Sequence, residues 1–259
     1  MKIAIFDSGI GGLTVLHEAM KLMPDEDYLF YADTRHVPYG EKSKDEVKQY
    51  VMDAAQYMAD QHVKAIVLAC NTATSIAVSE LRAKYDFPIL GIEPAVKPAV
   101  QNSVIKHKKV LVMATRLTLN EEKFHNLVKS IDTHDLVESL PMPGLVELAE
   151  CRQFDDDHVM AYLDEALAGY KLDEYGTVVL GCTHFPFFKD QLRRYFPEEV
   201  DIIDGSNGTA RHLQHVLEAR GQLGGGNSRI EFVKSGEPAN SAEELTDYHD
   251  LLNRLSQLS

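Results

Sequence analysis

The sequence predicts an α/β protein built from two doubly wound, mostly parallel-sheet domains. They are related by a pseudo-two-fold, with the active site in the cleft between them. Three observations carry this. Strand-like runs rich in Val, Ile and Leu alternate with helical patterns almost to the end of the chain, as parallel sheets covered on both faces require. Two of those runs, Ala65-Ile66-Val67-Leu68-Ala69-Cys70 and Thr177-Val178-Val179-Leu180-Gly181-Cys182, end on a cysteine followed by small polar residues. The pattern also restarts: 63 residues separate Asp7 from Cys70, and 67 separate Thr115 from Cys182. Matching spacings place the two thiols at equivalent points of the two halves.

The first half reads as strands over residues 2–7, 28–33, 64–70 and 88–92, with helices over 11–23, 43–62 and 72–85. Residues 93–108, with Pro94 and Pro98, read as a crossover. Strands then follow over 109–115, 136–140 and 177–182, with helices over 118–131, 146–151 and 157–170. Gly224-Gly225-Gly226 reads as a flexible surface linker before a last strand at 230–233 and a terminal helix at 242–255. The expected division is residues 1–94 with 206–259 as the domain carrying Asp7 and Cys70, and 95–205 as the domain carrying Cys182 and His184.

Composition narrows the partners. A chain of 259 residues can bury a real core, and 44% hydrophobic with 25% charged residues is ordinary for a globular protein. No apolar run approaches the ~20 residues needed to span a bilayer, and the amino terminus enters a strand with no leader pattern. Three widely spread cysteines form no disulfide framework, so a cytoplasmic location is expected. The formal charge of −14 disfavours nucleic acid and anionic membrane. The expected partners are a small-molecule substrate and at most a second copy of the chain, a homodimer.

Ligands of open α/β sheets bind beyond the carboxyl ends of the strands, where both thiols fall. Asp7-Ser8-Gly9-Ile10-Gly11-Gly12 follows the first strand and opens a helix. As a dinucleotide fingerprint it lacks the third glycine, which falls at Thr14, and Asp7 would repel a pyrophosphate. A purely structural glycine turn is a further reading. As a turn offering backbone N–H groups and the Ser8 hydroxyl it suits a small carboxylate, leaving Asp7 free to handle protons or an ammonium. Cys70 and Cys182 each precede an expected helix start, where the dipole favours a thiolate. Asn71, Thr72 and Thr183 supply donors, and His184 is a proton partner for Cys182. A zinc site from Cys70, Cys182 and His184 lacks close-spaced ligand pairs. Pro38, Tyr39 and Gly40 form the loop placed to cover the site. Cys151 has no comparable context and reads as packing, and His17, His62, His107 and His125 as solvated or core.

Taken together, Asp7-Ser8-Gly9-x-Gly11-Gly12-Leu13, Pro38-Tyr39-Gly40-x-Lys42-Ser43, Cys70-Asn71-Thr72-Ala73 and Gly181-Cys182-Thr183-His184-x-Pro186 resemble the motifs of the glutamate racemases. That family works without cofactor or metal and supplies D-glutamate for bacterial peptidoglycan. The resemblance runs to about residue 205 and loosens around Arg116 and Asn120, where the family has a glycine and a serine. It implies that Cys70 takes the α-proton of D-glutamate and Cys182 that of L-glutamate, assisted by Asp7 and His184. Ser8, Pro38, Tyr39, Gly40, Asn71, Thr72, Thr115, Glu147 and Thr183 would hold the substrate. Aspartate racemase is the alternative within the same fold, since one methylene separates the substrates.

Overall fold

The computed structural model describes residues 1–258. Its first half runs β1 (Ile3–Asp7), α1 (Leu13–Leu22), β2 (Tyr28–Ala32), α2 (Lys44–Asp60), β3 (Ala65–Leu68), α3 (Asn71–Lys84), β4 (Ile89–Gly91) and α4 (Val96–Lys106). The second runs β5 (Lys109–Ala114), α5 (Arg116–Asn120), α6 (Glu122–Ile131), β6 (Val137–Pro141), α7 (Pro143–Glu150), α8 (Asp156–Leu167), β7 (Tyr175–Leu180), α9 (Lys189–Tyr195) and β8 (Asp201–Asp204). The chain then returns through α10 (Ser206–Ala219), β9 (Ile230–Lys234), β10 (Glu237–Pro238) and α11 (Ala242–Gln257).

Two sheets result. One has the order β10-β9-β2-β1-β3-β4, the other β6-β5-β7-β8. All pairings are parallel except β9 with β10. The run β2-β1-β3-β4 and the whole second sheet share one strand order, with β1 matching β5 and β3 matching β7. The central strands β1, β3 and β7 are buried along their whole lengths, which explains why they read as unbroken apolar runs. Because Cys70 follows β3 and Cys182 follows β7, the shared order brings both thiols to carboxyl ends in equivalent positions.

Several segments differ from the sequence reading. The crossover expected at 93–108 does join the two sheets, and most of it is helical, because α4 occupies it. The expected helix at 118–131 is two helices. Thr115 caps the first by accepting from Thr118 N, and the extended backbone of Glu121 separates it from the second. β8 and α10 fall where no element was assigned. The 224–226 segment is tied down rather than free: Gly224 N donates to Glu26 Oε1 at 2.5 Å and Gly226 N to the Asp25 carbonyl at 2.8 Å. Among the described residues no helix is long and apolar enough to cross a membrane.

Candidate active site

Both thiols line one small cavity with Ser8, Tyr39, Gly40, Asn71, Thr72, Thr115, Thr118, Thr183 and His184. Cys70 and Cys182 are 6% and 7% exposed. The cavity measures about 20 Å³, room for roughly one water molecule. A far roomier cavity of about 300 Å³ lies apart from the thiols, between α1, β8 and α10. Size therefore does not mark the chemistry; the convergence of ionisable groups does.

The Cys70 side begins at the end of β3. Cys70 caps α3, accepting from Ala73 N at 3.4 Å, and its thiol donates to Ser8 Oγ at 3.8 Å. The helix terminus does not win here. Burial, reinforced by the nearby Asp7 carboxylate, pushes this thiol well above its ordinary range, so Cys70 carries a proton at neutral pH. Asn71 is buried and its Oδ1 has no hydrogen-bond partner among the described residues, an unmet acceptor beside the cavity that Asn71 lines.

The Cys182 side is built differently. Cys182 is followed not by an α-helix but by a short 3-10 turn, Phe185–Phe188, so the dipole expected there is missing. A histidine takes its place: His184 Nδ1 lies 3.6 Å from Cys182 Sγ, and Nε2 lies 2.5 Å from Glu150 Oε1. Burial opposes a charge on His184, but its hydrogen bonds to Cys182 and Glu150 outweigh it and raise the imidazole well above its ordinary value. Glu150 is lowered in turn, since His184 and the Ile10 N–H overcome its burial. Cys182, His184 and Glu150 thus form a thiol, base and orienting carboxylate in sequence.

Glu150 was not singled out in the sequence. The expected carboxylate on this helix, Glu147, is exposed and lies outside the cavity lining, whereas Val146 lines it and Glu150 reaches His184. Glu150 also joins the two halves, because Ile10 N donates to Oε1 at 2.8 Å. A Cβ on Gly9 would stand 1.8 Å from that oxygen, so only glycine lets the loop approach. Cys151, read as packing, is exposed.

The remaining expected residues close the cavity. Thr183 Oγ1 donates to Asp7 Oδ1 at 3.2 Å across the cleft. Tyr39 OH donates to Asp33 Oδ2 at 2.6 Å, which holds the Pro38 to Gly40 loop. A Cβ at Gly40 would meet Thr115 Cβ at 2.7 Å. Thr72, Thr115 and Thr118 bring three hydroxyls within 3.0–3.1 Å of one another. Thr118 was missed; the local signal is Thr115, a preferred N-cap residue whose Oγ1 accepts from Thr118 N. Among the described residues no group of three or more His, Cys, Asp or Glu is arranged to hold a metal ion.

Asp7 is fully buried, and burial raises its pKa from 3.8 to about 6, more than the neighbouring His184 and the Gly9 N–H lower it. The folded protein therefore holds this proton more tightly than the unfolded chain does. That stabilisation is present below the unfolded value and is lost as pH rises through about 6. The gap corresponds to about 3 kcal/mol. Asp7→Asn, which cannot ionise, is expected to be more stable relative to wild type at pH 8 than at pH 4 by most of that amount, about 2 kcal/mol. Urea denaturation at the two pH values measures it, and an equal difference at both would contradict it.

These features agree with comparison to known proteins. The Asp/Glu/Hydantoin racemase family matches residues 14–213. Glutamate racemase 2 of Bacillus subtilis (strain 168) is 56% identical over 257 residues, covering 99% of this chain and 97% of that protein. Glutamate racemase of Halothermothrix orenii is 51% identical over 257 residues, covering 98% of this chain and 100% of that protein. The crystal structure of Francisella tularensis glutamate racemase in complex with D-glutamate superposes with a TM-score of 0.81 at 26% identity, covering 97% of this chain and 93% of that one. The chain belongs to the Asp/Glu/hydantoin racemase family and is an amino-acid racemase.

Proposed function

We propose that this racemase interconverts L- and D-glutamate by a two-base transfer between Cys182 and Cys70, and that it supplies D-glutamate for peptidoglycan from the cytoplasm. One observation carries the mechanism: two thiols from equivalent strand ends of two like-ordered sheets line one cavity. Inverting a stereocentre by proton transfer needs an acid and a base on opposite faces. The two sides differ in a way that supports a direction. Cys70 holds its proton, while Cys182 has His184 beside it to receive one. With its proton on His184 Nδ1, Cys182 takes the α-proton of L-glutamate as the Cα–H pair becomes a carbanion. Cys70 then delivers its own proton to the opposite face, leaving D-glutamate, a Cys182 thiol and a Cys70 thiolate. The return reaction runs through the same groups reversed. Asn71, Thr72 and Thr183 are the donors placed to hold the α-carboxylate while charge develops. Ser8, Pro38, Tyr39, Gly40 and Thr115 close around the remainder.

Circular dichroism of purified protein with L-glutamate alone tests the reading. The signal should decay to zero, while a matched sample with L-aspartate should keep its signal. Decay with aspartate and none with glutamate would replace the substrate. No decay with either would reject the activity.

A further inference from the structure

The helix α11 lies with its apolar face on the first sheet: Tyr248, Leu251, Leu252 and Leu255 are buried, and the Tyr248 ring stacks on Phe232 at 4.4 Å. Two polar residues on the flank of that face reach the second half. Asp247 pairs with Arg152 at 2.5 Å, and Arg254 donates from Nη2 to the Phe187 carbonyl at 3.1 Å. They are seven residues apart, two helical turns, and so lie close to one side of the helix.

Each grips a neighbour of the Cys182 machinery. Arg152 follows Glu150 by two positions and ends α7 in the left-handed region, with φ 55°. Backbone bonds close that turn, Arg152 N to the Ala149 carbonyl at 2.9 Å and Gln153 N to the Leu148 carbonyl at 2.8 Å, and the Asp247 carboxylate ties the Arg152 side chain, and with it the turn, to α11. Phe187, whose carbonyl Arg254 holds, donates its own N–H to the His184 carbonyl at 3.3 Å. The Arg254 guanidinium also covers the Phe154 ring at 4.4 Å, and that ring packs on Phe187. One grip therefore sits behind Glu150 and the other behind His184, the two partners bonded at 2.5 Å.

We propose that α11 is a clasp reaching from the first half, with Asp247 and Arg254 as positioning residues that hold Glu150 and His184 in register with Cys182. Neither touches the cavity, so they act through those two residues alone. The Arg152–Asp247 pair is partly exposed, and such pairs add little to global stability; its part in the clasp is to tether the turn after α7 to α11. For turnover the inference rests on the two-cysteine reading above, but its central measurement does not.

Arg254→Met keeps the apolar stem over Phe154 and removes the donor to Phe187. Asp247→Asn removes only the charge at the other grip. Iodoacetamide labelling of Cys70 and Cys182, followed by mass spectrometry across pH, gives a ratio in which any shared opening of the cleft cancels. In each variant the Cys182-to-Cys70 ratio should change at least about fivefold, with Cys70 labelling as in wild type. The kcat for racemisation should fall about tenfold, the scale expected when a reacting group is misplaced by a fraction of an ångström. Thermal denaturation should stay within a few degrees of wild type. Should Arg254→Met not fold, Asp247→Asn carries the test alone. An unchanged ratio, or parallel change at both thiols, overturns the clasp. If wild-type protein does not racemise glutamate, the functional reading falls, and the ratio still decides the clasp.

Discussion

Cys70→Ser and Cys182→Ser are each expected to lose racemisation by at least roughly 10³-fold in both directions while keeping the wild-type fold. Serine preserves the size of the side chain and its hydrogen bonding. It cannot ionise near neutral pH, and a positioned acid or base contributes about 10²–10⁴-fold to a proton transfer. Both thiols are buried in one cavity, so a water would have to enter and be held in place of the lost group to replace it. The effects should also be far from additive, because the double replacement removes a relay already broken by either one. Polarimetry from each enantiomer, with far-ultraviolet circular dichroism to verify folding, measures this. Retention of more than a few per cent of turnover by either variant would reject the paired-thiol mechanism.

The largest effect on stability is expected far from the cleft. Lys64 and Glu26 form an ion pair at 2.5 Å with side chains only 5% and 1% exposed. Lys64 Nζ also donates to the carbonyls of Gln222 and Gly224, and Glu26 Oε1 accepts from Gly224 N. The pair is therefore the anchor that fixes the return of the chain from α10 to β9. Lys64→Met leaves a carboxylate buried without a counter-charge, at a cost of about 3–5 kcal/mol. For a chain of this length that lowers the melting temperature by about 10 °C. Adding Glu26→Leu should recover much of the loss, since an apolar pair of similar volume avoids the desolvation of both ions. Thermal unfolding of the two single variants and the double variant measures this. A single-variant loss below about 1 kcal/mol, or no recovery in the double variant, would argue against it.

Much of the architecture was legible because burial writes itself into composition. β1, β3 and β7 are apolar at every position since both faces are covered, and the restart after residue 108 is the second sheet. The helix expected from residue 43 is α2, whose start Ser43 and Glu46 close with a reciprocal cap. The missed pieces have physical reasons. β8 carries a carboxylate at each end and is only partly buried, so no apolar run marks it. Glu150 lies 34 residues before His184, and no local spacing connects a carboxylate on one element to an imidazole on another. The protonated state of Cys70 could not be inferred from its place before a helix, because its burial, and the Asp7 charge that reinforces it, arise only through packing. A short motif reveals which side chains share a strand end; which charge prevails there is a property of the assembled site.

The tightness of the space between the thiols has a consequence for the pace of turnover. On the two-thiol reading proposed above, a volume of about 20 Å³ is too small for an amino acid, so arrival and departure are expected to wait for the halves to part. Mirror-image substrates meet the same gate, and a gate that acts before the chemistry does not distinguish them. Where parting is the slow event, the forward and reverse reactions share one ceiling, and thickening the solvent with sucrose or glycerol lowers both together.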